Sequence, residues 1–487
     1  MLDLPRPQKL ITMGDPLLTH RGVVRRTQVE IKQVLPMSRS FWTLLPATLV
    51  AVACNSSSPP SSMPEGGMRE GGVPPPADAM DLPPTPPDVV HPAAKFCDLP
   101  GSVRYETTGV TMVAGGQTAT IPPSLSFIKV PTNFCVHYYG KVGNPRQVRF
   151  APSGELFVAS PIGITTGGGA GGQSSIVYLP DDNRDGYADS VSIFQDRLPQ
   201  TQGLLFTKTH FYYQDNTKIV RVPYQVGDRF PRGEREIVAD ITYHQSLLHW
   251  PKPLDEADDG TIYVGNGGDQ GEACDLQRPF KGGIVRLDGS PGGLPIAKGF
   301  RNPIAVRCQR GTNKCFAIEL AKDYSAEEGG REKLVPIREG DDWGYPCCAT
   351  RDVPHVEVKQ TADCSKTVPE DVSFLIGDTP FGFDFEPKKW PTPYKGNAFV
   401  ALHGTAGPWQ GARLVSVAVN LDTGDLMPST TLGGVGGGMR NFGTGWDDTT
   451  LMHGRPAAVT FAEDGRLFLA NDNNGDIIWI APFELER

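Results

Sequence analysis

A loose internal repeat of short strand-forming segments is the feature that most constrains the fold. Each segment joins a turn-forming residue to a run rich in β-branched and aromatic residues. The six segments are SGELFVAS (153–160), HFYYQDNTKIVRVPY (210–224), DGTIYVGN (259–266), NKCFAIEL (313–320), GNAFVALHG (396–404) and DGRLFLAND (464–472). Their spacing is roughly fifty residues at first and longer later, where insertions such as 321–390 intervene. The repeat predicts an all-β, six-bladed β-propeller, with a two-sheet β-sandwich as the alternative.

Composition supports a turn-rich β protein. The chain has 56 Gly and 45 Pro among 487 residues, and only 39% of its residues are hydrophobic. The net charge of −9 and the absence of a concentrated basic stripe give no support for nucleic-acid binding. After residue 54, no apolar run approaches the roughly eighteen residues of a membrane span.

The N-terminal region reads as an export signal. From Met37 the sequence is MSRSFWTLLPATLVAVAC, in which Arg39 precedes an apolar run that ends just before Cys54. That run is too short to span a bilayer and fits a secretory signal peptide. The small residues ahead of Cys54 resemble a bacterial lipobox, although Ala51 stands where leucine is usual. A buried apolar helix is the alternative interpretation.

These features predict four regions. Residues 1–36 are an extension or a mis-assigned start, and residues 37–53 are a lipoprotein signal peptide. Residues 54–94 are so rich in Pro, Gly and Ser that they cannot bury a core, and we interpret them as a tether. Residues 95–487 form the propeller. We expect an exported protein in the periplasm or at the outer membrane, which contacts the membrane only through acyl chains on Cys54.

The remaining eight cysteines suit disulfide bonds in an oxidising compartment. Cys308 and Cys315 flank the turn QRGTNK, so a bridge between adjacent strands is expected there. The neighbours Cys347 and Cys348 cannot sensibly bond to each other. We expect one of them to bond Cys364 and the other Cys274, which leaves Cys97 with Cys135. No zinc-site spacing and no CxxCH haem motif occurs.

The stretch DDNRDGYAD resembles the first half of a calcium-binding loop. Asp181, Asn183 and Asp185 supply oxygen atoms at alternate positions, Gly186 permits a sharp turn, and Asp189 falls at a later ligand position. The twelfth-position glutamate of an EF-hand is missing. The sequence therefore predicts a structural calcium loop, and a hydrated acidic turn is the alternative.

The segment GFRNPIAV (299–306) offers donors for an anionic ligand. Arg301 and Asn302 stand at the start of a predicted strand and are followed by a rigidifying proline. Such donors can grip an anionic or quinone ligand. Arginines are also common on plain surfaces, so the segment alone is not specific.

Five segments together resemble the glucose/sorbosone dehydrogenase family. They are HWPKPLDEADDGTIYVGNGGDQGEACD, KGFRNPIAV, EGDDWGYP, NAFVALHGT and GRPAAVTFAEDGRLFLANDNNGDIIWI, and their order is that of the family. The resemblance covers most of residues 140–487. It implies a six-bladed propeller that binds pyrroloquinoline quinone (PQQ) with Ca²⁺ and oxidises a sugar or a related alcohol or aldehyde. It does not identify the electron acceptor.

The resemblance also suggests a catalytic base. In the family a histidine precedes a PDG-x-x-Y strand, with the tyrosine fourteen residues on and an arginine a few residues after the histidine. Tyr263 lies fourteen residues after His249, as in the family, and Lys252 stands near the arginine's position. His244 is the rival, because its HQS context is closer to some members, but it would need five extra residues before the strand. A merely packed histidine is the third possibility.

Further roles follow from the same resemblance. Arg301 and Asn302 would contact the quinone, Arg455 would contact its carboxylates, and His403 lies where some members carry a lysine facing the quinone. The family's Ca²⁺ is bound mainly by backbone carbonyls after a strand like AIEL, but Ala321-Lys322 replaces the frequent Gly-Pro here. Two alternative functions are a lipid-anchored, non-catalytic propeller that binds carbohydrate or another surface ligand, and a calcium-dependent propeller hydrolase.

Overall fold

The six repeated segments lie in six separate antiparallel sheets, which together form a six-bladed β-propeller. Every described residue belongs to a compact unit that spans residues 80–487. The computed structural model describes residues 95–114, 120–162, 171–242, 249–268, 274, 282–322, 330–355, 362–405, 411–430, 437–447 and 453–486.

The N-terminal part of the described chain carries the helices and three strands. They are a 3₁₀-helix at Phe96–Asp98, β1 (Val103–Glu106), β2 (Gly109–Met112), helix α1 (Pro123–Ser126) and β3 (Phe134–Lys141). None of the helices in the described ranges is long and apolar enough to cross a membrane.

Blades 1 to 3 are four-stranded meanders. Blade 1 contains β4 (Gln147–Phe150), β5 (Leu156–Ser160), β6 (Ser175–Leu179) and β7 (Ser192–Gln195). Blade 2 contains β8 (Leu204–Phe206), β9 (His210–Asp215), β10 (Lys218–Pro223) and β11 (Glu236–Asp240). Blade 3 contains β12 (Leu254–Glu256), β13 (Ile262–Asn266), β14 (Gly283–Arg286) and β15 (Leu294–Lys298).

Blades 4 and 5 carry the longer connections. Blade 4 contains β16 (Asn302–Gln309), β17 (Lys314–Leu320), β18 (Glu332–Pro336) and β21 (Val372–Phe374), with a hairpin of β19 (Cys348–Thr350) and β20 (Val353–Pro354) between the last two. Blade 5 contains β22 (Pro380–Phe385), β23 (Ala398–Leu402), β24 (Arg413–Val417) and β26 (Met439–Gly443). Strand β25 (Ser429–Thr430) pairs in parallel with β21.

Blade 6 closes the ring with strands from both ends of the propeller. Its strands β27 (Pro456–Phe461), β28 (Leu467–Asn471) and β29 (Asp476–Pro482) come from the C-terminal part of the chain. The fourth strand is β3, which pairs with β29 from Lys141–Asp476 to Phe134–Pro482. Strands β1 and β2 extend this sheet at its outer edge.

The predicted segments match the second strand of each blade, and in blade 2 also the third. All five residues of β5, β23 and β28 are buried, because each second strand is covered on both faces by the neighbouring blades. Aromatic rings join adjacent blades: Phe157 of β5 lies 5.5 Å from Phe211 of β9 between ring centroids. This double coverage explains why these strands are continuous apolar runs.

The same hairpin links the first and second strands in several blades. In blade 3 the N–H of Ala257 donates to Thr261 and that of Gly260 donates to Ala257, and blade 6 repeats the pattern at Ala462 and Gly465. Gly260 and Gly465 have φ of 87° and 99°, a conformation that favours glycine. The Asp-Gly turns in the sequence therefore mark true blade hairpins.

The innermost strands form a closed ring around the propeller axis. They are β4, β8, β12, β16, β22 and β27, and each contacts the next around the circle. Because the blades have the same antiparallel order, the first residues of all six strands face one end of the central channel. The ends of the second strands face that same end.

The disulfide prediction is confirmed. The bridges are Cys97–Cys135, Cys274–Cys347, Cys308–Cys315 and Cys348–Cys364. One expectation needs correction: the segment 321–390 is not simply an insertion. It supplies β18 and β21 of blade 4 and β22 of blade 5, whose short strands and long connections obscure the repeat.

Candidate active site

Basic side chains gather at the end of the channel where the inner strands begin. Arg146 precedes β4, Lys252 lies just before β12, Arg301 precedes β16 and Arg455 precedes β27. Lys252 and Arg301 are buried, whereas Arg146 and Arg455 are half-buried. The shared direction of the inner strands therefore brings together basic residues that are far apart in the sequence.

A buried carboxylate organises one side of this site. Asp472 follows β28, and its Oδ2 accepts hydrogen bonds from Arg146 Nη1 at 2.7 Å and from His403 Nε2 at 2.9 Å. Arg455 donates from Nε and Nη2 to the carbonyl oxygens of His403 and Gly404, at 2.9 and 2.6 Å. Asp472, Arg146, His403 and Arg455 thus form one hydrogen-bonded group that spans blades 1, 5 and 6, in which Arg455 bonds the backbone and the other three bond through their side chains.

Burial and charge set the protonation of this group. Burial lowers the pKa of His403 to about 4, and the positive charge of Arg455 acts in the same direction. Burial alone would raise the pKa of Asp472, but its interactions with His403, Arg146 and Arg455 hold that pKa at about 2. His403 is consequently neutral and Asp472 ionised across the physiological pH range.

His249 lies on the opposite side of the site, in the segment that leads into blade 3. Its side chain is buried, and Nδ1 lies 2.9 Å from the carbonyl oxygen of Gly268. A carbonyl can only accept, so Nδ1 carries the hydrogen and Nε2 is the basic nitrogen of the neutral ring. The N–H of Gly268 donates to the carbonyl oxygen of Arg301 at 2.7 Å. The predicted base His249 and the predicted quinone-binding residue Arg301 are therefore both hydrogen-bonded to Gly268.

Lys252 is a buried cation near the predicted base. Its Nζ donates to Asn266 Oδ1 at 3.0 Å, and burial lowers its pKa to about 8. Its backbone N–H donates to Gln214 Oε1 at 2.8 Å, which fixes the segment between blades 2 and 3. Lys252 therefore retains most of its positive charge at neutral pH.

Glu319 supports the Arg301-Asn302 pair. Its Oε1 accepts the backbone N–H of Arg301 at 2.8 Å, and burial raises the pKa of Glu319 to about 7. The side-chain oxygen of Asn302 is buried and has no hydrogen-bond partner within the described ranges. A buried polar atom of this kind is usually satisfied by a ligand or by water.

The calcium loop lies after β6. Asp181 pairs with Arg466 at 3.5 Å, and side-chain oxygens of Asn183, Asp185 and Asp189 accept backbone N–H groups of the loop at 2.9, 2.9 and 2.6 Å. Within the described part of the chain, this loop included, no group of three His, Cys, Asp or Glu side chains is placed to hold a metal ion. The calcium loop stays a prediction.

The other predicted calcium position follows β17. Ala321 and Lys322 line a small cavity together with Glu319, Lys333 and His355. Two lysines beside a single carboxyl group are a poor environment for a divalent cation, although backbone carbonyls could still contribute ligands. Calcium at this position also stays a prediction.

The structure places most of the predicted site residues around one channel end. Arg301, Asn302 and Arg455 lie at the start of an inner strand, and His403 follows a second strand. His249 and Lys252 lie in the segment that leads into the inner strand of blade 3. The rival His244 lies outside the described residues, as does Cys54. The acidic loop belongs to a separate part of blade 1.

Sequence reasoning missed Arg146, Asp472 and Glu319. Arg146 could have been found by aligning the repeats, because NPRQV spans the start of its inner strand as FRNPI and GRPAA span the starts of theirs. Asp472 comes directly after the second strand of blade 6, just as His403 comes directly after that of blade 5. Glu319 carries no sequence signal besides its place near the end of AIEL.

Comparisons with known proteins agree with this architecture. A family model described as a domain of unknown function (DUF7133) matches residues 121–322. No curated protein matches the sequence. An iodide structure of a Trichoderma reesei protein of Carbohydrate-Active Enzymes Family AA12 has a TM-score of 0.59 at 17% identity, over 73% of this chain and 97% of that chain.

A second solved structure has a similar likeness. The holo form of the pyranose dehydrogenase PQQ domain from Coprinopsis cinerea has a TM-score of 0.58 at 16% identity, over 73% of this chain and 97% of that chain. At these identities the likeness establishes the propeller fold that the chain shares with these proteins.

Proposed function

We propose that this propeller is a PQQ-dependent dehydrogenase that oxidises a sugar or a related alcohol or aldehyde. The observation that carries the proposal is the gathering of Arg146, Lys252, Arg301 and Arg455 around the channel end that also holds His249. PQQ is a polycarboxylate, and guanidinium and ammonium groups are suited to bind it. Asp472 offsets only part of this positive charge, so the site favours an anion.

His249 would act as the general base. Neutral imidazole can take the proton of a substrate hydroxyl at Nε2, because the Gly268 carbonyl keeps the hydrogen on Nδ1. The same carbonyl stabilises the imidazolium that forms, since it continues to accept the Nδ1 hydrogen. When bound, the quinone supplies the two-electron acceptor for the hydride that leaves the substrate carbon.

The basic residues would hold the quinone and stabilise negative charge. Arg301 and Asn302 stand on a backbone fixed by Glu319, so their side chains start from a constrained position. Arg455 is oriented by the carbonyl oxygens of His403 and Gly404. Such preorganised donors are effective because they need little reorganisation as charge develops.

Two further points support the substrate class and the location. One of the similar structures is a pyranose dehydrogenase PQQ domain and another belongs to a carbohydrate-active enzyme family, which fits a sugar substrate. The signal peptide and Cys54 motif support an exported, lipid-anchored protein, and the four disulfides are compatible with an oxidising compartment.

Reconstitution tests the proposal directly. The purified full chain is titrated with PQQ, with and without Ca²⁺, and assayed with a sugar panel and an artificial electron acceptor. We expect the absorbance of bound quinone and sugar-dependent acceptor reduction, both strongly reduced in Arg301→Ala. If the wild type binds no PQQ with or without Ca²⁺, the dehydrogenase proposal fails and the lipid-anchored carbohydrate-binding propeller replaces it.

A further inference from the structure

His403 occupies a position in the site that the reaction described above does not use. We propose that His403 is a specificity-determining residue, whose Nδ1 accepts a hydrogen bond from an uncharged O–H or N–H group of the ligand. The inference deepens the proposed function and rests on it for the location of the ligand site. It is carried by three observations on His403 and Asp472.

The orientation of the His403 ring is fixed. Nε2 lies 2.9 Å from Asp472 Oδ2, and an ionised carboxylate can only accept, so Nε2 carries the hydrogen. The ring stacks on Phe381 with centroids 4.3 Å apart, and its backbone N–H donates to Thr379 O at 2.8 Å. The neutral ring therefore presents a lone pair at Nδ1 in a defined direction.

That lone pair is buried and unsatisfied. His403 is 3% exposed, and neither its Nδ1 nor Oδ1 of Asp472 has a hydrogen-bond partner within the part of the chain that the structure describes. Leaving a buried acceptor without a donor is unfavourable, so natural proteins rarely retain one without a ligand or water to fill it. Two such acceptors in one hydrogen-bonded group indicate a ligand that donates.

The surrounding charge selects an uncharged donor. Arg146 and Arg455 both act on this group, and Arg146 is already paired with Asp472. A cationic donor would be repelled by the two guanidinium groups, whereas a hydroxyl or a neutral ring N–H would not. The lowered pKa of His403 agrees, because it keeps the ring neutral and Nδ1 an acceptor.

Two sources could supply this donor chemistry. A sugar substrate carries several hydroxyl groups, and PQQ carries a pyrrole N–H. His403→Phe tests both, because phenylalanine keeps an aromatic ring against Phe381 but removes the Nδ1 acceptor together with the Nε2–H donor to Asp472. His403→Gln is the matched rescue variant, because its amide can donate to Asp472 and still offer an oxygen acceptor.

Binding is measured on the full chain with two probes. PQQ is titrated without sugar, and then glucose and its monodeoxy analogues are titrated with and without PQQ. Loss of one net hydrogen bond in His403→Phe should lower the affinity for the probe that carries the donor about tenfold. Most of that affinity should return in His403→Gln. If the donor is on PQQ, the affinity of His403→Phe for PQQ is lower than that of the wild type even when no sugar is present. If it is on the sugar, only glucose affinity falls, and one deoxy analogue loses its sensitivity to the variant.

A measurement on the wild type does not depend on folding of the variants. In ¹⁵N-histidine-labelled protein, the His403 Nδ1 resonance, assigned by its absence from His403→Gln, should move upfield when the responsible probe binds. Glucose binding that depends on His403 without any PQQ binding supports this inference and rejects the dehydrogenase proposal. Any of three results overturns the inference. They are equal affinities of wild type and His403→Phe for both probes, an Nδ1 resonance that does not move, and failure of the wild type to bind either probe.

Discussion

His249 and Arg301 are joined through a single residue, Gly268. The carbonyl oxygen of Gly268 accepts from His249 Nδ1 at 2.9 Å, and its N–H donates to the carbonyl oxygen of Arg301 at 2.7 Å. Gly268 follows the second strand of blade 3, whereas Arg301 begins blade 4. The proposed base and the proposed quinone-binding segment are thus held in register across a blade boundary, and separate variants can test them.

His249→Gln should abolish most of the turnover and leave quinone binding nearly unchanged. The substitution removes the basic nitrogen, and loss of a general base typically costs about 10²–10⁴-fold in rate. Quinone affinity should persist because Arg301, Asn302 and Arg455 are untouched. Titration with PQQ and steady-state kinetics with an artificial acceptor measure the two properties separately.

His244→Gln is the matched control for that experiment. His244 lies outside the described residues, and the spacing of the sequence favours His249. We expect near wild-type kinetics from His244→Gln. The reverse result, with turnover lost in His244→Gln and kept in His249→Gln, would show that the local HQS context was the better guide.

Gly267→Ala should lower turnover without removing any polar group. A Cβ at Gly267 would come within 2.5 Å of both the Cβ and the carbonyl oxygen of His249. Because that segment must shift, we expect kcat to fall more than PQQ affinity. Gly171→Ala is the control, since a Cβ there meets nothing within 4 Å. Equal kinetics in the two variants would contradict close packing around His249.

The blades were predictable because their signals are local. A second strand covered by both neighbouring blades must be apolar along its length, and Asp-Gly turns precede it in DGTIYVGN and DGRLFLAND. The long connections in 321–390 hid β18 and β21, since their short strands carry little periodicity. The cysteine pairing was predictable in part: the turn QRGTNK indicated Cys308–Cys315, but which of Cys347 and Cys348 bonds Cys364 emerged only in the structure.

The candidate site was only partly predictable, because its contacts are not local. Arg146 and Asp472 are 326 residues apart and meet only when blade 6 closes the ring next to blade 1. His403 drew notice through a family resemblance, but its pairing with Asp472 depends on the propeller geometry. The periodicity of the sequence locates the strands. To predict the site, one must also know which strand ends lie at the same end of the central channel.

Lys252→Arg should remove an alkaline loss of quinone affinity. Burial lowers the pKa of Lys252 to about 8, so its positive charge is present below that pH and is lost as pH rises through it. We expect wild-type PQQ affinity to weaken above about pH 8. Arginine at position 252 stays charged, so the PQQ affinity of Lys252→Arg should stay flat to about pH 9. Above that pH, Arg455 begins to lose its charge, because burial lowers its pKa to about 10. Parallel pH profiles would exclude Lys252 as the titrating group.

Cys54→Ala should move the protein from the membrane fraction to the soluble exported fraction. Acyl chains on Cys54 are the proposed anchor, and lipidation requires the thiol. Fractionation of cells that express wild type and variant measures the change. Ser56→Ala, two residues into the tether, should fractionate as wild type. Continued membrane association of Cys54→Ala would contradict the lipoprotein assignment.

Cys308→Ser combined with Cys315→Ser should destabilise the propeller and spare the site. The bridge closes the hairpin of β16 and β17 where Cys308 pairs with Cys315, whereas Asn302 pairs with Leu320 at the opposite end beside the channel. Loss of a bridge across so short a loop typically lowers the free energy of unfolding by about 2–3 kcal/mol. Chemical denaturation should therefore show a lower midpoint, with PQQ affinity within about twofold of wild type. A large loss of affinity at unchanged stability would mean that the bridge positions Arg301 directly.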